Sequence, residues 1–230
     1  MIKPIAAIAA IFLLCVATAS AQDANKTIDE LMAKMNAVKD YSASAVITSD
    51  IPMVKILPSQ ATIYFKQKDK FKIDAKGIAI VPKQGFTDIS KMLSNKSSYT
   101  AIFMGNENIK NAKCDILSIF PTSDTSDLIL AKLWIDPMND VVMKSQITTR
   151  SSGMVTTEFT YGSQLRWGLP DQLLFTVDVK KFKIPKGVAT DINKTSTKPA
   201  NENTAKTGTV KIDLSNYKVN QGLSDAVFKK

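Results

Sequence analysis

The 230-residue sequence contains no histidine, only two cysteines, and only two arginines, Arg150 and Arg166. Histidine is the commonest general base near neutral pH and the commonest transition-metal ligand, so its absence disfavours histidine-dependent catalysis and zinc sites. The formal charge of +9 comes mainly from lysines scattered along the chain. Nucleic-acid-binding surfaces typically contain clusters of lysine and arginine. The scattered lysines of this chain therefore disfavour nucleic-acid binding. No glycine-rich phosphate loop is present. These absences favour a binding protein over an enzyme.

The remaining reactive residue types leave few candidates for a catalytic or metal site. Asp124 and Asp127 lie close together in TSDTSD, where a carboxylate pair or a calcium site competes with ordinary capping of turns. Asp136 precedes Pro137, which is typical of a turn. Cys114 lies on a predicted strand without a histidine to activate it, which indicates a buried and unreactive thiol. The sequence predicts no catalytic residue, cofactor or metal.

The first 21 residues have the pattern of a secretory signal peptide. Met1 and Lys3 precede an apolar stretch that ends in Ala19-Ser20-Ala21, a small-x-small cleavage site. Lipid anchoring at Cys15 is disfavoured because bulky Leu14 precedes it. No later run approaches the roughly 20 apolar residues needed to span a bilayer. We predict a single domain over residues 22–230, of net charge +8 after loss of Lys3, in the bacterial periplasm. Cys114 would then have no disulfide partner.

The chain after the cleavage site is predicted to open with one amphipathic helix. Thr27-Ile28-Asp29-Glu30 has the form of a capping box. Apolar residues then recur at helical spacing up to about Asp40: Ile28, Leu31, Met32, Met35 and Val38. A second, short helix is predicted between Gly85 and Lys96, introduced by Thr87. Because an apolar stripe must be buried, we expect the first helix to lie on the sheet that follows.

From Ser42 onward the apolar period changes to two, which predicts strands joined at hairpin distances into an antiparallel meander. ATIYFKQK and FKIDAK form one hairpin around Lys68-Asp69-Lys70. Polar residues 186–208 are predicted to form a mobile loop, and GLSDAVF a final docked turn. The further predicted strands are Tyr99 to Met104, Cys114 to Phe120, Leu128 to Asp136, Val141 to Arg150, Met154 to Tyr161, Gln172 to Phe182 and Thr209 to Leu214.

The apolar side of this sheet is longer than two helices would cover. In ILAKLWIDPMND, Ile129, Ala131, Leu133 and Ile135 are predicted to share one face and to alternate with Leu130, Lys132 and Trp134, and VVMKSQI continues the pattern after the turn. The sequence predicts an α+β fold, with an open antiparallel sheet whose apolar face is covered by helices. Periodicity leaves two alternatives open, because that face holds either ordinary core or a ligand.

The segments "VKDYSASAVI", "ATIYFKQKDKFKIDAKG", "LAKLWIDPMNDVVMKSQITTRSSGMVTTEFTYG" and "GLSDAVF", in this order, resemble the LolA-type outer-membrane lipoprotein carriers and sorting proteins. The resemblance covers most of the mature chain. It implies an unclosed antiparallel half-barrel with helices as a lid over a hydrophobic cavity for acyl chains. It also implies an inner-membrane donor, an outer-membrane acceptor, transient membrane contact and a monomeric carrier without cofactor.

The resemblance also implies which residues would line the concave face: Ile63, Phe65, Phe71, Ile73, Leu133, Ile135, Val141, Met143, Ile147, Phe159, Phe175 and Val177. Contacts with the lid would come from Gln67, Phe86, Ile89, Met92 and Leu93. The carriers hold the lid with an arginine in "KRP", whereas this chain has Lys66-Gln67-Lys68. Gln67 can donate hydrogen bonds to lid carbonyls but carries no charge.

Three functions are consistent with the sequence. The first is a periplasmic carrier for the acyl chains of lipoproteins or for a related lipid. The second is a regulatory module that senses lipid or lipoprotein on the same half-barrel and controls a membrane-bound partner. The third, a secreted hydrolase, would require Asp124 or Asp136 inside the cleft. Because regulators of the second kind usually carry a further domain, we favour the carrier.

Overall fold

The computed structural model describes residues 23–52, 56–67, 70–77, 86–178 and 207–229, with residues 86–89 as backbone only. These residues form two α-helices and ten strands. The helices are α1, Ala24–Asn36, and α2, Phe86–Leu93. The strands are β1 Asp40–Asp50, β2 Ser59–Lys66, β3 Lys70–Lys76, β4 Tyr99–Ile109, β5 Ala112–Pro121, β6 Leu128–Asp136, β7 Val141–Thr149, β8 Gly153–Thr160, β9 Gln172–Asp178 and β10 Thr207–Val219.

The ten strands form one sheet in the order β3-β2-β1-β10-β9-β8-β7-β6-β5-β4. Every neighbouring pair is antiparallel, and β10 returns to lie beside β1. Strands β3 and β4 are the two edges and do not pair with each other, so the sheet is unclosed. The predicted α+β fold, an unclosed antiparallel half-barrel with few helices, is confirmed. We call the face that carries α1 the inner face and the other the outer face.

Helix α1 begins three residues earlier than its predicted cap. Asp23 is the N-cap, and its carboxylate accepts from the backbone N–H of Asn25 at 2.9 Å. The predicted capping box at Thr27 is therefore wrong. Thr27 lies within the helix, buried against the sheet, and its hydroxyl donates to the Asp115 carboxylate at 3.4 Å. Ile28, Leu31 and Met32 are buried, as the predicted stripe requires.

Two β-bulges change which residues face inward around the β6–β7 hairpin. The pairing shifts between Trp134 and Ile135, so that Val142 packs on the inner face while Met143 packs on the outer face against Trp134. A bulge adds one residue to one strand and so inverts the alternation beyond it. The prediction that Met143 shares the inner face with Ile147 is wrong for this reason. A second shift, between Leu128 and Leu130, leaves Ile129 44% exposed.

The remaining elements are short. Three 3-10 turns are described: Lys96–Ser98, Leu165–Trp167 and Asp225–Phe228. The last of them lies against β3 and matches the predicted docked end of the chain. The predicted signal peptide lies outside the described residues. So does the predicted loop 186–208 up to residue 206, whereas Thr207 and Gly208 already belong to β10. Within the described part of the chain, neither helix has the length and apolar character needed to cross a bilayer.

Candidate functional site

The inner face carries two adjoining groups of buried apolar side chains. The first, the helix-side core, joins α1 and Leu93 of α2 to strands β4 to β8. The second, the hairpin-side core, joins β1 and β2 to β8, β9 and β10. Leu173 of β9 packs against both. The apolar surface therefore continues across the sheet from one core to the other, and α1 and α2 contact the helix-side part of it.

A small cavity lies where the two cores meet, beneath α1 and α2. It is lined by Leu31, Met35, Leu93, Leu133, Val142, Ser145, Ile147, Thr157, Phe159, Leu173 and Phe175. None of these side chains is charged. The space open to the centre of a water molecule is about 30 Å³, enough for roughly two waters. The cavity is small and mainly apolar in this conformation.

The cavity exists because two small side chains occupy the middle of the inner face. Ser145 of β7 lies directly opposite Thr157 of β8 in the strand pairing. On the sides away from each other, Ser145 pairs with Leu133 of β6, and Thr157 pairs with Phe175 of β9. Directly opposed side chains in a sheet lie about 5 Å apart, so the pair sits as a low floor between two large apolar walls.

The end of α1 is held to the sheet by side-chain amides. The Gln67 Nε2 group donates to the carbonyls of Asn36 at 2.8 Å and Val38 at 3.0 Å. The Asn220 Nδ2 group donates to the Ala37 carbonyl at 3.0 Å. The last carbonyls of a helix lack partners within the helix. Gln67 and Asn220 supply these partners and connect the end of α1 to the β2–β3 turn and to the end of β10.

Further polar contacts attach the rest of α1. Asp29 accepts from the Lys96 ammonium at 2.7 Å, which joins α1 to the segment after α2. The Lys34 ammonium donates to the Asn139 carbonyl in the β6–β7 turn at 2.5 Å. Both bonds are partly or fully exposed to water, so each adds little stability. The main attachment of α1 is the burial of its apolar stripe.

Four of the predicted lining residues meet at the cavity: Leu133, Ile147, Phe159 and Phe175. Three others are buried in the two cores without lining it: Ile63, Ile135 and Val177. Ile73 packs at the border of the hairpin-side core, and Phe71 on the edge strand is 45% exposed.

The other predicted lining residues have different surroundings. Phe65 stacks on Tyr41 with ring centroids 5.3 Å apart, and Tyr41 also contacts Tyr217. Val141 is buried beside the position of Gly168. Met143 packs on the outer face with Cys114 and Trp134.

The predicted lid residues divide in a similar way. Leu93 lines the cavity, Met92 packs against the helix-side core, and Gln67 binds the end of α1. The side-chain predictions for Phe86 and Ile89 fall outside the described part of the chain. Sequence reasoning did not place six residues in the lining: Leu31, Met35, Val142, Ser145, Thr157 and Leu173. Ser145 and Thr157 carried a usable signal, because a short polar residue interrupts each inward-facing apolar series.

The candidate catalytic residues lie away from the cavity. Asp136 accepts from the Met138 N–H at 2.9 Å and from the Asn139 amide at 2.7 Å, which is the bonding of a turn. Asp127 accepts from the N–H and hydroxyl of Ser151. Asp124 and Asp136 are absent from the lining of the described cavity. No group of three acidic or cysteine side chains in the described ranges is placed to hold a metal.

Two ionisable groups beside the cores, the partly buried Tyr161 and the buried Cys114, are neutral at pH 7. The Tyr161 hydroxyl donates to the Val142 carbonyl at 2.8 Å, and burial raises the pKa of Tyr161 above its ordinary value. Cys114 is fully buried on the outer side, and burial raises the pKa of its thiol to about 11. Neither group is an activated acid, base or nucleophile at neutral pH.

No protein-family model and no curated protein sequence matches this chain. Solved structures do match. A candidate outer membrane lipoprotein-sorting protein domain from Vibrio parahaemolyticus has a TM-score of 0.60 at 10% identity, covering 91% of this chain and 97% of that one. A LolA superfamily protein from Nitrosomonas europaea has a TM-score of 0.56 at 11% identity, covering 90% and 97%.

A DUF1329 family protein from Desulfovibrio piger is also similar, with a TM-score of 0.53 at 15% identity and coverage of 90% and 97%. All three likenesses extend over almost the whole of both chains. The chain therefore has a LolA-like fold, as the sequence motifs implied. At 10 to 15% identity the likeness shows the fold, and function has to be argued from the site.

Proposed function

We propose that this chain is a periplasmic carrier that shelters the acyl chains of lipoproteins, or of a related lipid, beneath α1 and α2 and passes them to the outer membrane. The observation that carries the proposal is the uncharged cavity between the lid helices and a continuous apolar inner face. Structural neighbours described as lipoprotein-sorting and LolA superfamily proteins support it. The signal-peptide pattern of residues 1–21 supports the compartment.

Binding of this kind requires no catalytic group. Each methylene removed from water contributes about 0.8 kcal/mol, so a few buried methylenes give reversible affinity. Met35 and Met92 at the cavity and lid suit a shape-tolerant surface, because the flexible thioether chain adapts to different contours. The same weak, additive contacts let the cargo leave when an acceptor offers more apolar surface.

The cavity in this conformation is too small for an acyl chain, so the carrier must open further before it binds. Opening would move α1 and α2 away from the sheet and expose Leu31, Met35 and Leu93 together with the strand residues beneath them. The acyl chain would then replace the apolar contacts that the helices lose. The unpaired edges β3 and β4 allow the sheet to widen without breaking ladder hydrogen bonds.

The proposal is tested by native mass spectrometry with lipid extraction of protein purified from a periplasm without strong detergent. We expect acylated adducts on the wild type. The variant Met35→Glu places a charge in the cavity from a half-buried position on α1, so adducts should disappear. The matched control is Met154→Glu, because Met154 is 51% exposed on β8 and lies outside the cavity lining. It should retain them.

Two results contradict the proposal. One is a bare mass for the wild type, both as purified and after incubation with a synthetic acylated peptide. The other is equal lipid capture by Met35→Glu and Met154→Glu, which would place the lipid elsewhere. Circular dichroism of both variants checks that the sheet remains folded.

A further inference from the structure

The floor of the cavity contains two hydroxyl groups in otherwise apolar surroundings. Ser145 and Thr157 are each 3% exposed, lie directly opposite each other on β7 and β8, and line the cavity. Their nearest neighbours across the strands, Leu133 and Phe175, offer no polar atom in their side chains. The hydroxyls are the polar side-chain groups of the cavity.

Neither hydroxyl forms a side-chain hydrogen bond to any part of the protein that the structure describes. The oxygens face open space rather than packed protein, since the described part contains no sealed side-chain oxygen without a partner. A bound hydrocarbon would cover these hydroxyls and leave them without a hydrogen-bond partner, which is unfavourable. Alanine and valine of similar size would complete an apolar floor, so the two hydroxyls point to a ligand with a polar atom.

We propose that Ser145 and Thr157 donate hydrogen bonds to a carbonyl oxygen of the cargo, the ester or amide carbonyl at the head of an acyl chain. This inference rests on the proposed carrier function and narrows its substrate class. A plain hydrocarbon or an ether-linked alkyl lipid would leave the hydroxyls without their strongest acceptor. The hydrocarbon chain of an acyl ester or amide packs against the apolar walls, and its carbonyl oxygen accepts hydrogen bonds from the two hydroxyls.

The hydrogen bond discriminates between ligands through its acceptor. A carbonyl oxygen is a good acceptor for O–H donors, and the bond forms where water is excluded. The expected preference for an ester over an ether of equal chain length is roughly three- to tenfold, the ratio given by one neutral hydrogen bond. The apolar walls contribute equally to both ligands and do not change this ratio.

The test compares two probes, dipalmitoylglycerol and its diether analogue dihexadecylglycerol, as competitors that displace a fluorescent apolar dye. The proteins are the wild type, Ser145→Ala, Thr157→Val and the double variant. We expect the wild type to bind the ester more tightly, and the double variant to bind both probes equally with unchanged affinity for the diether. Because the hydroxyls have no partner to lose, the double variant should melt at the wild-type temperature or above.

Four results overturn the inference. Equal affinity of the wild type for both probes means that water, rather than the ligand, accepts the hydrogen bonds of Ser145 and Thr157. This result does not contradict the proposed carrier function. An ester preference retained by the double variant places the carbonyl elsewhere. Binding of neither probe by the wild type removes the proposed function together with this inference. A fall in melting temperature for the double variant would show that the hydroxyls support the fold instead.

Discussion

The hydrogen bonds from Gln67 to the end of α1 predict how readily the lid opens. In Gln67→Ala the carbonyls of Asn36 and Val38 lose bonds of 2.8 and 3.0 Å. A neutral hydrogen bond contributes about 0.5 to 1.5 kcal/mol. Because these bonds are partly exposed, water can replace them, and the pair together contributes about 1 kcal/mol. The open population should therefore rise roughly fivefold.

Native-state hydrogen exchange measures this opening directly. Amides of α1 in Gln67→Ala should exchange roughly fivefold faster than in the wild type, while amides of β7, an interior strand of the sheet, keep their rates. Gln67→Arg introduces at this position the residue type found in the LolA-type carriers that the sequence resembles. Its guanidinium forms stronger, charge-assisted bonds to the same carbonyls, so α1 should exchange more slowly than in the wild type. Gln60→Ala, an exposed position on β2, the strand that precedes Gln67, is the matched control.

The order of the α1 exchange rates among these variants tests whether the Gln67 hydrogen bonds control the opening of the lid. We call the two Gln67 hydrogen bonds to the Asn36 and Val38 carbonyls the latch. If the latch holds α1, α1 amides should exchange faster with Ala than with Gln at position 67, and faster with Gln than with Arg, while Gln60→Ala should equal the wild type. Equal α1 exchange in Gln67→Ala and the wild type would refute the reasoning. If α1 and β7 accelerated together, the substitution would act on global unfolding rather than on the lid.

Two further predictions concern groups outside the cavity. Cys114 should resist thiol reagents at pH 8 in the native protein and react fully in denaturant, because burial raises the pKa of its thiol to about 11; rapid native labelling would contradict this. Hydrogen bonds from Lys66 and Lys70 lower the pKa of Asp225 to about 2. The stabilisation is thus present above the unfolded pKa of about 3.9 and is lost as the pH falls toward 2. Thermal melts should show Asp225→Asn less stable than the wild type at pH 7, with the difference shrinking as the pH falls through the folded pKa of about 2.

The order of the helices and strands could be predicted from the periodicity of apolar residues along the sequence. The change from helical to alternating spacing near Ser42 marks the entry into the sheet, and the bounds of β6 agree with the structure residue for residue. The hairpin of β2 and β3 pairs Ile63 with Ile73 and Phe65 with Phe71, as the alternation predicts. These features depend on local patterns, which a sequence displays directly.

The cavity was harder to predict because it depends on register across several strands. A bulge at the β6–β7 pairing sends Met143 outward and brings Val142 inward, and no turn residue announces it. Phe65 has the right alternation, yet it stacks on Tyr41 instead of lining the cavity. The floor of Ser145 and Thr157 becomes visible only when the strand pairing sets them opposite each other.

The strengths of the contacts around α1 assign separate roles to the latch and to the cargo. Burial of a large apolar side chain contributes about 1.5 to 3 kcal/mol, and Ile28, Leu31 and Met32 are all buried beneath α1. Their sum exceeds the contribution of the Gln67 bonds several times over. Breaking the latch alone therefore changes how often the lid opens, without holding it open. Only a ligand that restores apolar contact to the exposed inner face can stabilise the open form. The Gln67 latch should therefore set the rate at which lipid is loaded, and the length of the acyl chain should set the equilibrium affinity for the lipid.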